Sequence, residues 1–240
     1  MVAGAGIADV ADRKAHFWAR ASGFLLIYYI GAASVGGLIL GSFNTSQNFS
    51  ETAARIVEGE AHYRLGLLIR LSADLTAIAV GFTLWALLRR VDAELAFFAL
   101  LWRVAEGVIG CVAALFRSMR LGLAERAAVI DADAPALLAS ASNSAFALGV
   151  LLFAIGSLLF FMLLARTDHL PRWLSWIGVV GSICALLLAL VLMLSPEPIR
   201  YVEALWAPLA VAEVVGGLIL LVRGAGRQGG TAAAVRPDAP

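Results

Sequence analysis

Charge is scarce in this chain. Only 15% of its 240 residues are Asp, Glu, Lys or Arg, against 61% that are hydrophobic, and the formal net charge is +1. Soluble domains average about 25% charged and about 45–50% apolar residues, so the composition argues against a water-soluble globule. Disorder over most of the length is excluded too, because it requires low hydrophobicity and high net charge. A balance this close to neutral gives no electrostatic footprint for nucleic acid. Lysine is nearly missing, with Lys14 alone against seventeen arginines. Cysteine is limited to Cys111 and Cys184. Both lie in apolar runs, without a Cys-x-x-Cys or Cys/His cluster, so neither a structural zinc nor a redox pair has support. Free thiols acting as small hydrophobes are the plainer reading than a disulfide between spans. His16, His62 and His169 are too scattered to ligate a metal, and neither HExxH nor a phosphate-cradling glycine loop occurs. No metal and no cofactor is expected.

What the sequence has is long apolar runs. A bilayer core of about 30 Å needs about 20 apolar residues at 1.5 Å per residue. Six stretches meet that length: Ser22–Phe43, Leu65–Leu88, Leu95–Phe116, Ala145–Ala165, Trp173–Leu194 and Ala204–Val222. The first is too long, and its leader too extended, for a signal peptide. The expected fold is therefore all-α, a polytopic six-transmembrane-helix bundle whose surroundings are membrane lipids. Basic residues orient it. With the N-terminus in the cytoplasm, inner segments hold ten of the basic residues and outer segments six, and Arg13, Lys14 and Arg20 precede the first span. This predicts N-in/C-in. Residues 1–21 then form a cytoplasmic N-terminal segment, 22–222 the transmembrane domain, and 223–240 a Gly/Ala/Pro-rich cytoplasmic tail expected to be disordered.

Two outer segments are long. Asn44–Tyr63 is polar and acidic, and Asn44 and Asn48 each open an Asn-x-Ser/Thr pattern. In Arg117–Asn143, apolar positions at helical spacing predict a short interfacial helix, broken by Asp131–Pro135. Trp18, Trp173 and Trp206 fall near span ends, where interfacial aromatics belong. Gly37-x-x-x-Gly41 and the Gly107/Gly110 and Gly178/Gly181 pairs predict close helix contacts.

The informative feature is five ionisable residues inside the runs: Arg70 and Asp74 in the second, Arg103 and Glu106 in the third, Glu213 in the sixth. Left isolated, they would oppose insertion by roughly 12–17 kcal/mol on insertion scales. Pairing, an inward orientation, neutralisation or contact with water is therefore required. Asp74, Arg103, Glu106 and Glu213 all fall within about one turn of the midplane, with Arg70 nearer the outer face. Arg70/Asp74 are i, i+4 and Arg103/Glu106 are i, i+3, so each pair shares one helix face. The second and third spans are joined by a short turn, which predicts a compact Asp74–Arg103–Glu106 cluster between them. Two arginines face three carboxyls, and Glu213, with no basic residue on its own span, is the one left over and expected to be protonated. Such charges can also do no more than register helices. A Ser/His/Asp site finds no support, since Ser72 and Ser157 lie mid-span without a histidine.

Certain stretches resemble a known family. WARASGFLLIYYIGAAS, RLG with the following Asp74, Arg103-x-x-Glu106 and Leu170-Pro171-Arg172-Trp173-Leu174, together with the final LWAPLAVAEVVGGLILLVRG, are similar to bacterial membrane proteins grouped as domain of unknown function 4386. The resemblance covers about Phe17 to Gly224. It implies a six-helix bacterial inner-membrane protein, multi-pass, and brings no established activity. On the residues themselves, the leading expectation is binding or transport of a proton, an ion or a small amphiphile at the Arg70, Asp74, Arg103, Glu106 and Glu213 cluster. Two others stand beside it: an embedded enzyme acting on a lipid-soluble substrate with a buried carboxyl as general acid, and a structural or regulatory partner.

Overall fold

Long stretches rich in Leu, Ala and Val favour continuous helices, even where one of them takes in Pro208. The computed structural model describes residues 2–44, 49–126, 133–194 and 202–226. Those residues form α1 (Val2–Gly41), α2 (Phe49–Glu58), α3 (Glu60–Leu88), α4 (Ala93–Ala124), α5 (Asp133–Leu164), α6 (Arg172–Leu194) and α7 (Val202–Arg223). Pro135 sits in the first turn of α5, where a missing N–H breaks no helix bond, and Pro171 directly precedes α6. All the helices but α2 are long and apolar enough to cross a bilayer. The chain is a multi-pass membrane protein.

The six long helices close into a ring in the order α1, α3, α4, α5, α6, α7 and back to α1. Antiparallel neighbours follow from tight turns. Between α3 and α4, the Asp92 side chain accepts the Leu95 N–H at 3.0 Å and caps α4. At the far end of the chain, Gly224 takes φ +72 and its N–H returns to the Leu220 carbonyl, ending α7 with a left-handed cap. Side chains pointing out of the ring are apolar and exposed, among them Phe24, Leu38, Leu68, Leu115, Leu187 and Val222. That exterior suits acyl chains.

Residues 2–21 of the N-terminal segment are helical and run on into the first span within α1. Other expectations are revised. Among the described residues no separate interfacial helix follows Arg117. Residues 117–124 continue α4; of the expected break at Asp131–Pro135, residues 133–135 open α5, and 131 and 132 lie outside the described residues. At 32 residues each, α4 and α5 reach about 48 Å, well beyond a hydrocarbon core of about 30 Å. The acidic segment Asn44–Tyr63 holds α2, which buries Thr52, Ala53 and Ile56 beside Phe43, Tyr63, Leu121 and Ala124. Asn44 accepts a hydrogen bond from Arg120 at 3.2 Å, while Asn48 and the tail from 227 onward lie outside the described residues. Gly37 and Gly41 face open space, so that motif packs against none of the described residues. Gly36 meets the Arg70 backbone, and the Gly107/Gly110 and Gly178/Gly181 pairs do lie at contacts with Asp74, Ile78, Phe161 and Leu209. Both cysteines are free.

Candidate functional site

The polar interior is built from one face of each surrounding helix. On α4, Arg103, Glu106, Gly110, Ala113 and Arg117 recur at spacings of three and four, which places them in a single stripe. Arg103 is the most enclosed charge, 1% exposed. Its stem fits where Gly81 and Gly156 carry no Cβ, since an added Cβ there would approach it to 2.7 and 3.1 Å. Its guanidinium carbon lies 5.1 Å from the Tyr29 ring centre and 5.0 Å from that of Phe153. Its Nη1 is 3.0 Å from Oε2 of Glu106. The other oxygen of Glu106 accepts the Tyr29 hydroxyl at 2.7 Å. A delocalised cation beside two adjacent aromatic rings, with a carboxylate at its edge, is well matched to a water-poor setting.

Asp74 behaves differently from the expected cluster. Its Oδ1 pairs with Arg70 Nη2 at 3.2 Å, on its own helix, and not with Arg103. Its carboxylate lies against the α4 backbone at Gly110, where a Cβ would come within 2.6 Å of it. Arg103 is already engaged by Glu106 and by rings from α1 and α5. The charges thus form two intrahelical pairs along one cavity. Glu213, on α7, is 6% exposed, and its Oε1 accepts the Ser157 hydroxyl of α5 at 3.2 Å.

These groups border a cavity of about 310 Å³ inside the ring. Arg70, Asp74, Glu106 and Glu213 all line it, while Arg103 sits behind Glu106 and borders a smaller void of about 20 Å³ with Ser157 and Glu213. The sequence-predicted charges therefore share one interior. Tyr29, Ser157, Arg117 and Trp206 were not among them. Arg117 fell just past the expected end of the third span, yet the α4 stripe from Arg103 carries straight to it. Trp206 was expected at the interface but packs on Phe153, ring centres 5.9 Å apart, and lines the cavity. Tyr29 could have been found as the one aromatic hydroxyl of α1 on the face opposite exposed Leu38 and Phe24, but only tertiary contact pairs it with Glu106. Among the described residues, no three His, Cys, Asp or Glu side chains gather closely enough to hold a metal ion.

Seen along the ring axis, the cavity is one-sided. It extends from Glu106 and Glu213 toward the end that carries α2, as the lining by Ala33, Arg117, Ala145 and Trp206 requires. On the other side of Glu213 the interior is filled by Leu84, Phe160, Leu164, Leu170 and Leu220. The arrangement can hold an amphiphilic molecule against charged and aromatic groups, and it can store or release protons at carboxyls near the bundle centre.

No curated protein and no solved structure matches the chain. A family match covers residues 21–224, from within α1 to the glycine that caps α7. With that match spanning the whole six-helix ring and its interior charges, the chain belongs to the family described as domain of unknown function (DUF4386).

Proposed function

We propose that this protein binds a small amphiphile in the ring cavity and that the deep carboxyls Glu106 and Glu213 exchange protons in step with that binding, as a transporter or its binding component in a bacterial inner membrane. The observation that carries the reading is the 310 Å³ cavity itself, whose walls combine aromatic and aliphatic side chains with a few convergent charges. Ligand sites are typically about 300–1,000 Å³ and built in this way. Ionisable groups inside a membrane ordinarily mark pathways for ions, protons or substrates. The apolar filling beyond Glu213 surrounds a void of about 20 Å³, room for a single water. Passage to that end therefore needs the filling to rearrange, whereas binding does not. The basic residues Arg13, Lys14, Arg20, Arg89, Arg90, Arg166, Arg172 and Arg223 cluster toward the closed end and favour placing it in the cytoplasm, N-in/C-in.

Two measurements test the reading. Native mass spectrometry from nanodiscs of bacterial polar lipid is expected to show a retained amphiphile, lost in the cavity-filling variant Gly149→Phe. Retention unchanged by the filling would refute the site. Vesicles loaded with a pH-sensitive dye are expected to relax an imposed proton gradient faster with the protein than without it, and Glu213→Gln is expected to abolish the difference. Equal leak through both proteins would remove the proton coupling. Chemical conversion of an added lipid without any gradient would replace transport by the enzyme reading, with Glu106 or Glu213 as general acid.

A further inference from the structure

The cavity has polarity along its length. Two of its three nearby arginines have acidic partners: Arg70 with Asp74 at 3.2 Å, and Arg103 with Glu106 at 3.0 Å. Arg117 lines the cavity and makes no ion pair with any described residue. Its Nη1 is buried without a hydrogen-bond partner among the described residues, and so is Nε of Arg70, which faces the same space. A guanidinium does not discharge by releasing its proton, so the available compensation is an anion or water. At the opposite end stand the carboxyls of Glu106 and Glu213. Eleven residues separate Glu106 from Arg117 along α4, about 16 Å.

Between those ends Phe146, Val150, Phe153, Trp206 and Leu209 give the wall its apolar part, while Asp74, paired with Arg70, stands at the level of Gly110. Phe146 also lies 5.8 Å from the Arg70 guanidinium carbon, backing the cationic end with a ring. There is a side route as well. Ser34 on α1 and Ala210 on α7 line the cavity and are both exposed. Each sits at the edge of its helix's outward face, next to exposed Val35 and Val211. Toward the closed end the same two helices meet tightly, where Gly23 lies against Gly217 and Leu221. The α1–α7 seam is thus tight at one level and lined by small residues at the cavity.

Resting on the amphiphile-binding reading, we propose that the cavity selects an amphiphile with a carboxylate or phosphate head, held by Arg117 and Arg70, its chain lying along Phe153 and Trp206 and reaching the bilayer through the α1–α7 seam. Guanidinium groups match the planar, two-oxygen edge of such heads, and the opposite end presents the carboxyls of Glu106 and Glu213 where no guanidinium of the described residues lines the cavity. At ~30 Å³ per water the space holds about ten waters, which sets the part of the ligand enclosed in the cavity at roughly that number of heavy atoms. The anionic head could belong to a free acid or to a bilayer phospholipid.

Trp206 supplies the readout. In nanodiscs of zwitterionic phosphatidylcholine, chain-brominated octanoate is expected to quench a saturable part of the tryptophan emission, and Trp206→Phe is expected to remove that part. Brominated octanol and brominated octyltrimethylammonium, with the same chain, are expected to quench at least tenfold more weakly. Arg117→Gln is expected to weaken octanoate at least tenfold while helix content is retained. Loss of octanoate quenching in phosphatidylglycerol nanodiscs would name the phospholipid as occupant, and persistence would name the free acid; either supports an anionic head. Equal binding of the three probes to the unmodified protein overturns the anion selectivity but leaves an amphiphile cavity standing. Quenching by none of them overturns both, and full octanoate affinity in a folded Arg117→Gln overturns the role of Arg117.

Discussion

Replacing Arg103 by methionine removes one partner of a buried ion pair and strands the other. Arg103 is 1% exposed, 3.0 Å from Glu106, and flanked by two rings at 5.1 and 5.0 Å. Deleting one member of such a pair costs about 3–5 kcal/mol, because the remaining charge is left uncompensated. Loss of each cation–π contact adds roughly 0.5–2 kcal/mol. Glu106→Met strands the guanidinium at a comparable cost. Removing both charges together is another matter, since apolar replacement of a whole pair is often neutral or stabilising. The double variant is therefore expected to lose at least about 2 kcal/mol less than the sum of the single losses, a coupling inside the range of about 0.5–3 kcal/mol seen for residues in contact. The assay is reversible unfolding in mixed micelles with rising dodecyl sulfate, followed by helix content, on all four proteins. Because Glu106→Met also strands the Tyr29 hydroxyl, the cycle is repeated in a Tyr29→Phe background. Single losses that simply add, with a coupling below about 0.5 kcal/mol, would mean that each group is satisfied separately, and would refute the ion-pair account.

Two further outcomes are expected. Gly181→Ala places a Cβ 2.5 Å from the Leu209 amide nitrogen and 2.7 Å from its Cα. Backbone cannot swing aside as a flexible side chain can, so α6 and α7 must separate. A loss of about 1–3 kcal/mol is expected in the same unfolding assay, and an unchanged midpoint would contradict the packing. His169, in the turn before α6, is 4% exposed, and neither ring nitrogen has a hydrogen-bond partner among the described residues. Burial pushes its pKa below the ordinary 6.5, with nearby Asp168 opposing and His16 assisting. The unfolded chain then binds this proton at a higher pH than the folded one. Stability from this group is complete above about pH 6.5 and is lost as pH falls through the folded value. Unfolding midpoints measured from pH 7.5 down to pH 5 are expected to fall, and His169→Leu is expected to flatten that slope. An identical slope in both would assign the effect elsewhere.

Much of the site was legible because a hydrocarbon surround makes charges conspicuous. Arg70, Asp74, Arg103, Glu106 and Glu213 stand out in apolar runs for the same reason that they turn inward, the cost of exposing them to lipid. Their i, i+3 and i, i+4 spacings also fixed the partners that formed, Arg70 with Asp74 and Arg103 with Glu106. The expected Asp74–Arg103 contact failed because proximity of two helices does not say which way a long side chain turns. Arg103 was drawn to rings on α1 and α5. Arg117 was overlooked because a hydropathy window ends a span at the first charges, although α4 runs on to Ala124.

By itself, then, the sequence determined an all-helical, multi-pass chain and the identity of its interior charges, since span length and the penalty for charge in lipid are both properties of a single segment. Only the tertiary structure decided the ring order, the 310 Å³ cavity and the meeting of Tyr29 with Glu106 and Ser157 with Glu213. Those depend on how helices distant in the chain rotate about their axes to pack. That rotation is set by where small residues allow close approach, at Gly23, Gly81, Gly110, Gly156 and Gly181, which no one segment encodes alone.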